Sequence, residues 1–254
     1  MKSTNRPAKN SKYLLVDLSN SFTKFALATR EKLLERASLP TPDLTPRRVR
    51  AATRDWRYDS VVISSVVPDS TAAIIAGAQC DRTIEVSWKV KLGVTVEFPN
   101  PRTIGADRLA NAAGVVALHG APAVVIDFGT AVTFDIVSPD CAYIGGVIAP
   151  GLEVMTSYLY ERTALLPRIE LEEPRCIVGK TTRDAMLAGA VYGYRGLVRE
   201  ILRELKREIA PRGRWNVIAT GGYAKLIAAR LPEIKQVDPD LTLHGLRVIG
   251  NLNF

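Results

Sequence analysis

The chain is poor in the residues that build metal and redox centres. It has two histidines, His119 and His244, and three cysteines, Cys80, Cys141 and Cys176, in 254 residues. The cysteines are widely spaced, odd in number and form no CxxC pair, which argues against both a disulfide scaffold and a His/Cys zinc site. That usage fits a reducing, cytoplasmic setting. No run of about 18 apolar residues is present, so no membrane association is expected. The first twelve residues, MKSTNRPAKNSK, lack the apolar stretch of a secretory signal and read as a flexible tail. Two nucleotide fingerprints are also missing. There is no GxGxxG, and VGKTT at 178–182 resembles the end of a P-loop without its upstream glycines.

What is there describes a folded domain. Apolar residues make up 47% of the chain, enough for one large or two medium cores. The net charge of +8 raises nucleic acid as a partner. The basic residues are not one block, however. Between Arg195 and Arg214 they interleave with Glu200, Glu204 and Glu208, and Glu200–Arg203 and Glu204–Arg207 have the i,i+3 spacing of a solvated helix face. A protein that handles anionic metabolites explains the charge as well, and no nucleic-acid partner is expected.

The order of elements is mixed α/β. YLLVDL and SVVISSVVP read as buried strands, TKFALA as a hairpin partner, and STAAIIAGA as a short helix. A helix is predicted from just after Gly105 to about His119, and YIGGVIAPG is read as a glycine-rich reversal. The clearest helix covers RDAMLAGAVYGYRGLVREILRELKREI, with Leu187, Ala190, Tyr194, Val198, Ile201 and Leu205 on its apolar stripe. WNVIATGGYAKLIAARL reads as strand, glycine turn, helix.

One arrangement occurs twice. In DLSNS and in DFGTA an acid ends a buried strand and opens a turn of small residues that leads into a second strand. Asp17 is followed at plus six by Thr23, and Asp127 at plus six by Thr133. The echo suggests two duplicated α/β lobes facing a cleft, over 13–121 and 122–254, behind a tail at 1–12. Small-residue turns expose backbone N–H groups that hold phosphate oxygens. An acid beside phosphate makes sense when a cation lies between them. Gly129 would take a positive φ or admit the ligand, and Thr130 adds a hydroxyl donor. Gly221 and Gly222 either leave room for a flat purine or make a tight connection. Asp107 stands at a helix start, where an N-cap role competes with that of a base for a hydroxyl substrate. Arg108 could meet a carboxylate, a phosphoryl group or a structural acid.

DLSNSFTK, VVISSVVP, FPNPRTIGADRLANA, VVIDFGTAVTFDIV, YIGGVIAPG, VGKTTRDAMLAG, TGG and LTLHGL occur in an order that resembles the type III pantothenate kinases, over nearly the whole chain from Tyr13 to Leu246. The resemblance implies an actin-like (ribonuclease H-like) ATPase fold of two lobes around a central cleft, a homodimer, and phosphorylation of pantothenate by ATP as the first step toward coenzyme A. It implies Mg2+ or a similar divalent cation, and a monovalent cation, K+ or NH4+. By the same resemblance Asp107 is the general base, and Phe98, Gly105, Arg108 and Thr182 hold pantothenate, Thr182 reaching from the partner subunit. Asp17, Asn20, Ser21, Lys24, Thr130, Gly221 and Gly222 bind the nucleotide. Asp17 arranges the magnesium through water, and Asp127 coordinates the monovalent cation.

Two positions depart from the family pattern. Ser19 stands where glycine is usual, so strain is expected if its φ is positive, and Ser19→Gly is then expected to raise activity. Phe98 stands where an aromatic with a hydroxyl is common. These departures keep two alternatives open: a weak or inactive kinase-like regulator, and a kinase for another small hydroxyl compound.

Overall fold

The computed structural model describes residues 11–209 and 213–254. In chain order the elements are β1 (Lys12–Leu18), β2 (Phe22–Thr29), β3 (Leu33–Pro40), α1 (Pro46–Thr53), β4 (Ser60–Ser65), α2 (Pro68–Ala78), β5 (Thr83–Glu85), β6 (Thr95–Val96), α3 (Ala106–His119), β7 (Ala123–Phe128), β8 (Ala131–Val137), β9 (Ala142–Pro150), α4 (Leu152–Arg162), α5 (Thr182–Ile209), β10 (Asn216–Thr220), α6 (Ala224–Ala228), β11 (Gln236–Val237) and α7 (Leu241–Asn253). The chain forms two compact units. One holds the residues up to His119 with Cys141–Ile144 and Asp240–Phe254, and the other holds Gly120–Asp140 with Gly145–Pro239.

The first unit is built on a sheet of order β3–β2–β1–β4–β5. β1 is central, and Tyr13 to Leu18 are all buried, as expected of a strand covered on both faces. It pairs antiparallel with β2 and parallel with β4. β3, at the edge, exposes Glu35 and Arg36, charges that protect an open strand from further pairing. Pro68 does not merely close a strand. It sits in the first turn of α2, where its missing N–H has no intrahelical role. One face of the sheet buries Leu14, Val16, Phe25 and Ile63 with Val49 of α1 and Ile74 of α2. Within this unit β6 pairs parallel with the first residues of β9, Thr95 with Ala142 and Val96 with Tyr143.

The second unit repeats the plan. Its strands run β9–β8–β7–β10–β11, with β7 antiparallel to β8 and parallel to β10. Position by position this is the order of the first sheet, so the expected duplication holds at the level of topology. The supporting helix α5 buries Leu187, Val191, Tyr194, Val198 and Leu202. Ala190, Ile201 and Leu205 of the predicted stripe are only half-buried, because the seam follows Val191 and Leu202 instead. Arg195 lies in that seam and is 3% exposed. Its guanidinium donates to both carboxylate oxygens of Glu173, at 3.0 and 2.6 Å, and to the carbonyls of Leu226 and Ile227 at the end of α6. The solvated pairs of α5 form as the spacing predicts. Arg203 pairs with Glu200, and Arg207 with Glu204 at 2.9 Å.

Three sequence readings need correction. YIGGVIAPG is not a reversal but most of strand β9, whose outer half is partly exposed. The tail does not extend to residue 12, because Lys12 already pairs with Thr29, while residues 1–10 lie outside the described residues. The boundary at 121/122 assigns the chain's end to the second lobe, yet α7 packs in the first unit. A β-carbon at Gly245 would collide with the carbonyl oxygen of Ala110, so α3 and α7 meet backbone to backbone. Thr242 Oγ1 donates to Asn111 Oδ1 at 2.8 Å beside that crossing.

Candidate active site

The acid-ended strands place the two turns. Asp17 is 5% exposed at the end of β1, and Ser19 to Phe22 make the turn into β2. Ser19 N–H donates to the Phe22 carbonyl at 3.3 Å, and Ser19 Oγ reaches Asp17 Oδ1 at 3.4 Å. Asn20 and Ser21 are exposed at the tip, and Lys24 faces Asp17 across the ladder. In the second unit Asp127 ends β7, half-buried, and Gly129 N–H donates to the Ala131 carbonyl at 3.1 Å. Thr130 is exposed between them.

The register corrects the plus-six echo. Leu18 pairs with Thr23, whereas Phe128 pairs with Val132, so the first turn is one residue longer. Asp17 therefore faces Lys24, and Asp127 faces Thr133. In these terms Ser19 corresponds to Gly129, Ser21 to Thr130, and Asn20 is the extra residue. The two hydroxyls expected at phosphate thus hold equivalent places.

Strain at Ser19 is absent. Among the described residues the only non-glycines with positive φ are Gln79 and Cys141. Gly129 does not have a positive φ either, and a β-carbon there would meet only ordinary contacts, with Ala131 O at 3.4 Å and Asp127 Oδ1 at 3.8 Å. The backbone of both turns accepts a side chain at this position, so the fold does not require glycine there.

A residue from outside each turn fixes it. Thr41, buried just after β3, donates its N–H to the Ser21 carbonyl at 3.0 Å and its hydroxyl to the Ser19 carbonyl at 2.6 Å. Gly151, just after β9, donates its N–H to the Thr130 carbonyl at 3.0 Å. A β-carbon at Gly151 would collide with the carbonyls of Thr130 and Gly129. Sequence reasoning missed both residues. The available signal was the pair LPT and APG, in which each residue follows a proline that ends the third strand of its unit.

Gly221 has φ +91°, and a β-carbon there would lie 2.5 Å from Asp127 Oδ1 and 2.6 Å from the Phe128 backbone. It is a tight connection seated on the acid turn. Gly222 beside it has nothing within 4 Å of the β-carbon position, so this glycine leaves open space. Tyr223 follows, its N–H donating to the Phe128 carbonyl at 3.4 Å and its hydroxyl to Glu153 at 3.0 Å. Burial and the neighbouring Glu153 push the Tyr223 hydroxyl up to about 12.

In the first unit Asp107 lies in the first turn of α3, half-buried. Arg108 N–H donates to Asp107 Oδ1 at 2.8 Å, a local bond typical of a helix start. Burial holds this carboxyl above its ordinary value of 3.8, against the pull of the Arg108 N–H and charge. Gly105 gives the carboxylate its space, since a β-carbon there would collide with it. The same position faces Val66, whose N–H donates to the Leu18 carbonyl at 3.1 Å. Asp107 is thus built onto the strand ends that carry the first turn. The Arg108 guanidinium lies 5.7 Å from the centre of the Tyr143 ring, within cation–π range. Phe98 packs 6.3 Å from the same ring. Tyr143 is a third residue the sequence reading missed, hidden in the segment taken for a reversal. Thr182 belongs to the second unit, exposed at the start of α5, where Thr181 Oγ1 accepts the N–H of Asp184 at 3.1 Å.

Comparison with known proteins identifies the family. The type III pantothenate kinase family matches residues 13–204. A type III pantothenate kinase of Akkermansia muciniphila is 50% identical over 242 residues, 95% of this chain and 99% of that protein. Among solved structures, the ethanolamine utilization protein EutJ from Carboxydothermus hydrogenoformans is similar in fold, with TM-score 0.60 and 15% identity over 96% of this chain and 92% of its own. An inorganic polyphosphate/ATP-glucomannokinase from Arthrobacter is similar at TM-score 0.50 and 16% identity, covering 95% and 99%. The repeated sheet order is that of the actin-like and sugar-kinase-like ATPases, and within that fold the chain belongs to the type III pantothenate kinase family.

Proposed function

We infer that the chain phosphorylates pantothenate with ATP, giving 4'-phosphopantothenate. The observation that carries this reading is Asp107: a carboxylate held above its ordinary pKa, next to an arginine, on the strand ends that bear an acid-and-hydroxyl turn. Asp107 takes the proton of the primary hydroxyl as its oxygen attacks the γ-phosphorus, and Arg108 binds the pantothenate carboxylate. Phe98 and Gly105 border the same substrate. Asn20, Ser21 and Thr130 offer phosphate donors, with Lys24 adding positive charge beside Asp17, and Gly221 and Gly222 flank the adenosine.

Asp17 and Asp127 each bring one carboxylate to a turn of small residues. That donor set suits cations that keep water and phosphate ligands, as magnesium does, and not an all-protein cage. Asp17 would orient the hydrated Mg2+ and Asp127 would hold K+ or NH4+. When bound, these cations neutralise phosphate charge.

The working form is a homodimer in this reading. α4 exposes Val154, Met155, Tyr158 and Leu159, and Leu165 beyond it is 90% exposed. An apolar strip of this kind is characteristic of an association surface. Thr182 of a second copy would then complete the pantothenate pocket. A purified-protein assay with pantothenate, ATP and Mg2+, with and without K+, tests the activity. Product that depends on both substrates and rises with K+ is expected; no product under any cation condition overturns the reading.

A further inference from the structure

We propose that Thr41 is a positioning residue for the nucleotide phosphates, acting through the backbone of the first turn; this rests on the kinase reading above. Thr41 makes two bonds to the turn, one from its N–H to the Ser21 carbonyl and one from its hydroxyl to the Ser19 carbonyl. A hydroxyl has one proton. Because Thr41 uses its proton on Ser19, the 2.9 Å contact between Thr23 Oγ1 and Thr41 Oγ1 has Thr23 as its donor. The chain of bonds therefore runs in one direction, from Thr23 through Thr41 to the turn. Thr23 and Thr41 are 0% and 5% exposed, so water does not compete for these bonds.

The consequence follows from peptide geometry. In a trans peptide the carbonyl and the N–H of the next residue point to opposite sides. Holding the Ser19 carbonyl on Thr41 sends the Asn20 N–H to the opposite side, away from Thr41. The clasp thereby fixes the direction of the Asn20 N–H, a donor at the exposed tip that the kinase reading offers to phosphate. In the second unit the turn is one residue shorter, and the Gly151 N–H bonds the Thr130 carbonyl as the Thr41 N–H bonds that of Ser21. No side chain fits at Gly151. Thr41 adds a hydroxyl bond to the Ser19 carbonyl, a bond that a glycine cannot make.

The test uses the full-length protein with Thr41→Val, which keeps shape and removes the hydroxyl, and Thr41→Ser, which keeps the hydroxyl. Thr41→Ala is the second deletion variant, should the valine protein not fold. Titration with a non-hydrolysable ATP analogue is expected to show about tenfold weaker binding for the deletion variants, the scale of one lost hydrogen bond. The ATP KM should rise in step, while the pantothenate KM stays within about twofold of wild type, and Thr41→Ser should restore both nucleotide values. Analogue binding unchanged by the deletion, equal losses for both substrates, or failure of serine to rescue would overturn the clasp. Wild-type turnover measured alongside reports separately on the kinase reading, because analogue binding does not require turnover.

Discussion

The two acid-ended turns are copies that solve one problem differently. Each ends a buried central strand, each carries a hydroxyl at the tip, and each is fixed by the residue that follows a proline at the end of the third strand. The first turn has four residues and is held by a side chain and an amide. The second has three and takes an amide bond from Gly151. The longer turn adds a hydroxyl bond at the Ser19 carbonyl, which a threonine can supply and a glycine cannot. The helices that follow the two sheets differ in the same way. Asp107 at the start of α3 is held against Gly105 beside the strand ends, whereas Asp240 at the start of α7 is tied by Arg36 at 2.7 Å. In the reading proposed above, the first acid serves the chemistry, while the second makes an ion pair.

Substitutions that exchange these roles separate the copies. The largest effect is expected for Asp107→Asn, with kcat about 10²–10⁴ lower, the range of one lost general base, and nucleotide binding near normal. Asp240→Asn, which loses a partly exposed ion pair, should stay within about 1 kcal/mol in stability and within about twofold in rate. Steady-state kinetics of the two side by side would break the contrast if both lost turnover. Next is Gly151→Ala. Its β-carbon has no room against the Thr130 and Gly129 carbonyls, and thermal denaturation should show a loss of about 1–3 kcal/mol, the usual scale of overpacking.

A smaller effect is expected in the pH profile. Asp107 is raised by burial, so kcat/KM should fall with decreasing pH along a limb that lies above 3.8, and this limb should be missing in Asp107→Asn. The folded protein keeps that proton at pH values where the unfolded chain has lost it. Stability from this group therefore declines as pH rises from the unfolded to the folded pKa, and the asparagine variant should show a flatter dependence of Tm on pH. The smallest effect is Ser19→Gly. With no positive φ to relieve, stability should change by under about 0.5 kcal/mol, and neither kcat nor nucleotide affinity should gain. A clear gain would show that the β-carbon obstructs the ligand and not the backbone.

The sequence carried the central strands and the long helix because those depend on apolar pattern. β1 and β7 are unbroken apolar runs, and α5 has a stripe too long to mistake. Asp107, Arg108 and the two acid turns were legible because carboxylates, arginine and small residues mark themselves. β9 was misread because Gly145 and Gly146 mimic a turn, while its place beside β8 comes from backbone pairing that side chains do not announce. Thr41 and Gly151 were missed for a related reason. Both bond a turn through an N–H, which every residue but proline has, Thr41 adding its hydroxyl, and only the fold says where these donors point. The apparent plus-six spacing misled in the opposite direction, since equal intervals in sequence proved to be unequal intervals in register.

The α3–α7 crossing also has a consequence in time. Arg30 donates to the Asn251 carbonyl at 3.0 Å, and Asn111 accepts from Thr242, contacts separated by 221 and 131 residues along the chain. The first unit begins with the first strand and is finished by the last helix, with the whole second unit inserted between. On a ribosome, chain up to Pro239 can assemble the inserted unit while α3 still lacks its partner. The half of the protein that is made first is therefore the half completed last, and Asp107 sits on the helix that has to wait.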